Sequence, residues 1–394
     1  MGFSIVLLTV CCSGFLFAQD TPPDGSPIST DKNIVYEMNG EAKIHRANWD
    51  TTAPSQPLSV ADEVGNNDLV VPVNGTTITI LCADGSVVPV TEMMSTPPCS
   101  PIPGDGTGAS LSDGLISAAL INRGGADEAV LITPNGKMLS NKPAFYWLSV
   151  KNAAQYKVTI SRNGALVWKK DHVVPATSRA MDYPKDEAPL AAGDYTVKIE
   201  ALNSTGRPLS LDTPVTQMSI VPDAVSKAVL DSVKPPKAKS VNESMVAYRR
   251  ARVFANNEFY ADAIKTLEDA LKINIPDNKN LDHKTDKANS LRAGALPYIL
   301  LGNWYNKIHL YDYAGLAYRN ALSVAQQFDQ PENAAWANVQ SAVLLTDLRQ
   351  KYCGFAHASN FFSRVLDSSS LLKQVKQQMA DAVTALGYEP TCPT

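Results

Sequence analysis

The stretch Tyr298-Ile299-Leu300-Leu301-Gly302-Asn303-Trp304-Tyr305, followed by Ala314, Tyr318 and Ala321, decides the reading of this chain. Small and apolar residues return there every three or four positions, the period of one helix face. The spacing predicts two antiparallel helices. Gly302 and Ala314 let the two axes approach closely, Leu301, Tyr305 and Tyr318 fill the gap between them, and Ala321 leaves room for the next element.

Working outward, the same pattern precedes it. Ala263, Leu267 and Ala270 occupy the second-helix positions, Ala247, Ala251 and Phe254 the first, and Pro276 ends the unit. A third copy is read with Leu345 and Thr346 on its first helix and Ala358, Phe362 and Val365 on its second. The corresponding alanines, Ala263, Ala314 and Ala358, stand 51 and then 44 residues apart, the first interval carrying the polar insertion Pro276 to Ser290. Leu371 to Leu386 is expected to cap the open end.

These residues resemble tetratricopeptide repeats over 243–387. The resemblance implies stacked helix pairs whose first helices line a concave face that binds an extended peptide or a partner helix. Tyr298, Asn303, Asn306, Asn338 and Arg349 are placed on those first helices as candidate partner contacts. A generic helical bundle is the alternative reading of the same periodicity.

Upstream of Pro222 the character changes from helical to strand-like. The span 223–242, with Lys234-Pro-Pro-Lys-Ala-Lys239, is expected to be a hinge. Strand-like runs such as Phe145 to Leu148, Tyr156 to Ile160 and Tyr195 to Ile199, separated by Asn-Gly and Gly-Asp turns, predict a β-sandwich over 129–222. Trp147 and Trp168 are expected in its core. Residues 101–128 read as a Pro- and Gly-rich linker, and 34–100 as a small antiparallel β domain with Asn39-Gly40, Asn74-Gly75 and Asp84-Gly85 as turn signals. The fold class is thus a multidomain α and β chain: antiparallel β domains first, an all-α helical-repeat domain last.

Asn39-Gly-Glu-Ala-Lys-Ile-His-Arg46 with Thr77-Ile-Thr-Ile-Leu-Cys-Ala-Asp-Gly85 resembles the β domain of FecR-like proteins. Pro143-Ala-Phe-Tyr-Trp147, Val167-Trp168 and Gly193-Asp-Tyr195 are similar to fibronectin type III or immunoglobulin-like modules. This architecture, common in cyanobacteria, implies a periplasmic, envelope or extracellular location and protein–protein contact, and no reaction.

The apolar run Phe3 to Ala18 is 16 residues, shorter than the roughly 20 that a span needs. It suits the core of a signal peptide over 1–19, followed by a disordered leader over 20–33. The mature chain is then expected to hold no integral membrane span; a retained anchor is the alternative. Cys11 and Cys12 fall in that segment, leaving Cys82, Cys99, Cys353 and Cys392. An even number in an exported chain suggests disulfides. Of three pairings, Cys82–Cys99 with Cys353–Cys392 is preferred because each stays within one segment, the latter tethering the tail 388–394.

The formal charge of -4 is too balanced for a nucleic-acid binder, which needs a basic face. His45, His172, His283, His309 and His357 lie far apart, with no zinc spacing. Cys353 and His357 would share a helix face, but no orienting third group accompanies them. Neither metal nor cofactor is expected, and the chain is read as a non-enzymatic scaffold for a protein or peptide partner. The competing reading is a cell-wall or polysaccharide-binding protein in which Trp49, Tyr146 and Trp168 stack on sugars and the helices serve as spacer.

Overall fold

The structure, a computed structural model, describes residues 32–45, 55–65, 68–73, 75–90, 99, 129–168, 171–178, 180–210, 213–234, 242–273, 291, 294–345, 347–365 and 370–392. The signal segment 1–19, the leader as far as 31, Trp49, the linker 101–128, the Lys-Pro segment 235–241 and the insertion 276–290 lie outside the described residues.

The first module contains β1 (Asn33–Asn39), β2 (Ala42–His45), β3 (Gln56–Leu58), β4 (Glu63–Val64), β5 (Leu69–Pro72), β6 (Thr77–Leu81) and β7 (Val87–Val90). They form two antiparallel sheets, ordered β4-β1-β6-β7 and β3-β2-β5. Val35, Ile44, Val70, Ile78 and Ile80 meet in a core between them. Neighbouring side chains on a strand point to opposite faces. Ile34, Val35 and Tyr36 are nevertheless all buried, as are Ile80 and Leu81. The β1–β6 sheet is therefore covered on both sides, and its second cover is the helical half, whose core takes in Ile34, Tyr36 and Leu81.

The second module contains β8 (Leu131–Thr133), β9 (Gly136–Met138), β10 (Phe145–Trp147), β11 (Gln155–Arg162), β12 (Ala165–Leu166), β13 (His172–Pro175), β14 (Ala180–Met181), β15 (Gly193–Leu202) and β16 (Val215–Ile220). One sheet runs β14-β10-β8; the other runs β12-β11-β15-β16-β9, with β13 also on β11 and β9 parallel to β16. Trp147, Tyr156, Trp168, Val197 and Met218 belong to the single core that the two sheets enclose. Asn163 and Gly164 close the β11–β12 hairpin with φ of 52° and 79°, the mirror-image turn that matches strand twist.

Eight helices follow among the described residues: α1 (Asp223–Ser232), α2 (Glu243–Asn256), α3 (Tyr260–Leu271), α4 (Leu296–Lys307), α5 (Tyr311–Gln327), α6 (Pro331–Leu344), α7 (Leu348–Val365) and α8 (Ser370–Leu386). The first of these corrects the hinge: 223–232 is helical, with Ser226 and Val229 buried. Ala224, Lys227, Ala228 and Leu230 supply helix propensity, and prolines begin again only at 235. The expected leader also ends earlier, since Lys32 and Asn33 are placed and Asn33 opens β1.

Three of the helix connections share one geometry. Asn257-Glu258-Phe259 and Ile308-His309-Leu310 are three-residue links with the middle residue left-handed, at φ 66° and 63°. The amides of Phe259 and Leu310 bond back to Phe254 O and Tyr305 O. Both links thus satisfy the last carbonyls of the preceding helix in the same way and seat a buried apolar residue at the turn. Phe328-Asp329-Gln330 repeats the geometry after α5, with Asp329 at φ 51°.

The third helix pair falls in a different register from the expected third copy. α6 and α7 begin 35 and 37 residues after α4 and α5. Phe355 and Ala358 then stand where Tyr318 and Ala321 stand, seven residues from the alignment built on Ala358. Leu345 caps α6 in extended backbone instead of lying within it, and Thr346 lies outside the described residues. A small residue at a crossing fixes packing but not which of several alanines makes it, so a periodicity of small residues tolerates such slips.

Disulfides join Cys82 to Cys99 and Cys353 to Cys392. The second closes a separation of 39 residues and ties the segment after α8 onto α7, beside the Tyr352 hydroxyl donating to Glu389. Replacing both Cys353 and Cys392 by serine should cost about 2–4 kcal/mol of unfolding free energy. The loss should appear first as faster amide exchange in α8, with α2 and α3 unaffected.

Candidate functional site

The candidate surface is the outward row of the first helices, α2, α4 and α6. On α2 the row is Met245, Tyr248, Arg252 and Ala255, all buried. Fifty-one residues on, α4 presents Ile299, Asn303 and Asn306; Ile299 is buried and the two asparagines are half-buried. On α6 the row is Ala334, Asn338 and Ser341, continued by the cap residue Leu345, all half-buried, and the exposed Leu348 and Arg349 follow. Exposure thus rises along the platform from α2 to α6.

The first β module is what closes the α2 end. The Arg252 guanidinium, 2% exposed as a residue, donates to Lys32 O at 2.7 Å and to Ala83 O at 2.9 Å. Asn256 Nδ2 donates to the same Ala83 O at 3.1 Å, and Arg249 Nε to Gly85 O at 3.1 Å. Three side chains of one helix face therefore read two carbonyls of the β6–β7 turn. Gly85, at φ 83°, makes the approach feasible: a Cβ there would stand 2.5 Å from Val253 Cγ2.

At the start of α6 the Lys32 ammonium lies 2.8 Å from Glu63 and 3.1 Å from Glu332. Asn333 Nδ2 donates to Glu63 Oε1 at 2.6 Å. Burial alone would depress the Lys32 pKa, but the two carboxylates outweigh it and hold it above the ordinary lysine value. The ammonium stays charged and ties β1, β4 and α6 together.

The five residues proposed from sequence part company here. Tyr298 is a correction: it is 0% exposed in the core of the helical half and unavailable to a partner. An aromatic on the buried stripe of an amphipathic helix is drawn inward by its apolar area, whatever its hydroxyl could do. Arg349 is also corrected in place, since it opens α7 and does not lie on a first helix, but it is exposed. Asn303 Oδ1 is engaged by the Tyr318 hydroxyl at 2.9 Å. Asn306 Oδ1 is shielded from solvent and accepts no hydrogen bond within the described structure. Asn338 occupies the α6 position that Asn303 has on α4.

The repeat-packing residues Ala263, Leu267, Ala270, Leu301, Gly302, Tyr305, Ala314, Tyr318 and Ala321 are all buried. Burial pushes the Tyr318 hydroxyl far above its ordinary pKa, so it serves as a neutral donor to Asn303.

Of the aromatic candidates for sugar stacking, Trp49 lies outside the described residues, and Trp168 and Tyr146 pack in different cores. Trp168 packs edge-on against Phe145, His172 and Tyr183 and donates its indole N–H to the Tyr183 hydroxyl at 3.2 Å. Tyr146 packs half-buried against the helical core. Cys353 is consumed by its disulfide, which removes the thiol–imidazole pair with His357. Among the described residues no three His, Cys, Asp or Glu side chains gather as a metal site, and no helix is long and apolar enough to cross a membrane.

Sequence reasoning missed Arg249, Arg252, Asn256 and Lys32. The spacing of Arg249, Arg252 and Asn256 along one helix face was readable, but the β-module carbonyls they meet, Lys32 O, Ala83 O and Gly85 O, lie more than 160 residues upstream. The chain matches no family model and no curated protein.

Proposed function

We propose that this chain is a non-enzymatic, exported scaffold, built at its C-terminal end from tetratricopeptide-like helix pairs. It holds a protein or peptide partner on the part of the first-helix face that its own β modules leave open. The rise in exposure from the α2 row to the α6 row carries this reading. The α2 end is occupied in cis by β1 and the β6–β7 turn, so the partner surface is Asn338, Ser341, Leu345 and Leu348, flanked by Arg349 and Asn306. Asparagine suits such a role, because one amide both donates and accepts and so matches a peptide group.

A photo-crosslinking residue placed in the full chain at Asn338 or Ser341 tests it in an envelope extract. The same adduct is expected from both positions and not from Gln217, on the exposed face of the second module. The double variant Asn338→Lys, Arg349→Glu should cut the adduct at least tenfold while leaving the urea midpoint within error. Equal adducts from Gln217, or undiminished adducts in the double variant, would defeat the proposal.

A further inference from the structure

We propose that the seam between the second β module and α3 is a pH-sensitive joint, tight in acid and loosened when the half-buried Asp262 carboxyl lying in it ionises. The geometry comes first. Asp262 lies in the first turn of α3, the helix that packs on β9, and its neighbour Ala261 belongs to the core of the second β module. The directed contacts at the seam include the Leu139 amide to Asp262 Oδ2 at 3.3 Å and the Lys137–Glu258 ion pair. Beside it, Ser226 Oγ of α1 donates to Leu139 O at 2.8 Å and Asn135 Nδ2 to Ile308 O, in the α4–α5 link, at 3.2 Å.

A buried carboxylate is tolerated when a cation or several N–H donors meet it. Asp262 has one long backbone donor. The charged groups on the elements around it are engaged with one another. Lys137 of β9 pairs with Glu258, Lys265 pairs with Asp269, and Glu268 accepts from the Tyr305 hydroxyl. Asp223, on the exposed start of α1, has the same sign as Asp262. Burial accordingly raises the Asp262 pKa from 3.8 to about 6, with the Leu139 N–H opposing it only in part.

The sign follows from linkage. A carboxyl whose pKa is higher in the closed seam binds its proton more tightly there than in water. The closed seam is fully favoured below pH 3.8 and loses that advantage as pH rises through about 6. Two pKa units correspond to roughly a hundredfold change in the closing constant.

Amide exchange of the full chain between pH 4.5 and 8, corrected for intrinsic rates, tests the joint. Protection of residues 136–140 and of the first turn of α3 is expected to fall by ten- to a hundredfold over that range. Protection of residues 195–201, inside the second module, should stay constant. Asp262→Asn keeps the shape and cannot ionise, so its 136–140 protection should be flat with pH. Glu258→Gln, which breaks only the rim pair, should keep the wild-type slope. A flat wild-type profile overturns the proposal without recourse to any variant. So does a slope that survives in Asp262→Asn.

Discussion

Replacing Arg252 by alanine should lower the unfolding free energy of the chain by about 3–5 kcal/mol and release the first β module from the helices. The residue is 2% exposed, so its charge is already out of water, and it is stabilised by Lys32 O at 2.7 Å and Ala83 O at 2.9 Å. Hydrogen bonds from a charged donor contribute about 1.5–3 kcal/mol each. Truncation strands the Lys32 carbonyl and opens a void beside Tyr248, whose ring lies 5.9 Å from the guanidinium carbon. Arg249 is the control. Its bonds to Lys234 O and Ser232 O are solvent-exposed and only the one to Gly85 O is partly buried. Arg249→Ala should cost about 1 kcal/mol. Urea unfolding followed by tryptophan fluorescence measures both. Equal costs for the two variants would show that the buried carbonyl contacts do not hold the module.

The second large effect sets two helical glycines against each other. Both replacements by alanine gain helix propensity, about 1 kcal/mol each. At Gly302 the new Cβ would stand 2.2 Å from Tyr318 Cε1, inside any permitted contact. Tyr318 is 1% exposed and its hydroxyl is fixed by Asn303, so the ring has nowhere to turn. Overpacking of this kind costs about 1–3 kcal/mol beyond the propensity gain. At Gly315, one helix on, nothing lies within 4 Å of the new Cβ. Gly302→Ala should therefore destabilise and Gly315→Ala should stabilise, with the difference read as opposite shifts in urea midpoint. A gain at both positions would mean that α4 and α5 do not cross at Gly302.

The contrast between those glycines marks how far the sequence could be read. Gly302 was identifiable because it sits in a pattern of small and aromatic residues that fixes a close crossing. Gly315 carries no such pattern and faces open space. The two helix pairs built on Ala251 and Ala263 and on Gly302 and Ala314 were legible for the same reason, since local periodicity and the contacts it serves lie within a few turns. The third pair slipped by seven residues, because its alanines recur too often to single one out. The α1 helix was hidden behind the prolines that follow it.

The candidate site was less legible than the fold. Asn338 and Arg349 were singled out because polar residues on an expected first helix stand out; Asn338 is half-buried on α6 and Arg349 exposed on α7. Tyr298 was misplaced, since sequence cannot say whether a tyrosine on such a helix turns its ring inward. Trp147 and Trp168 were assigned to the core of the second module, and both lie there.

By itself the sequence determined the order of the parts: strands in the N-terminal half, helices in the C-terminal half, and the cysteines placed to bridge within each. Those features rest on periodicities of two and 3.6 residues and on turn chemistry, all of which act between near neighbours. Only the tertiary structure decided that the halves share a core, with Ile34, Tyr36 and Leu81 set among the helices. It also decided that Arg252 faces a turn 169 residues away along the chain and that Asp262 meets the Leu139 amide. Such contacts depend on the shapes of two already folded surfaces and on the desolvation of the groups between them, and no local pattern encodes either.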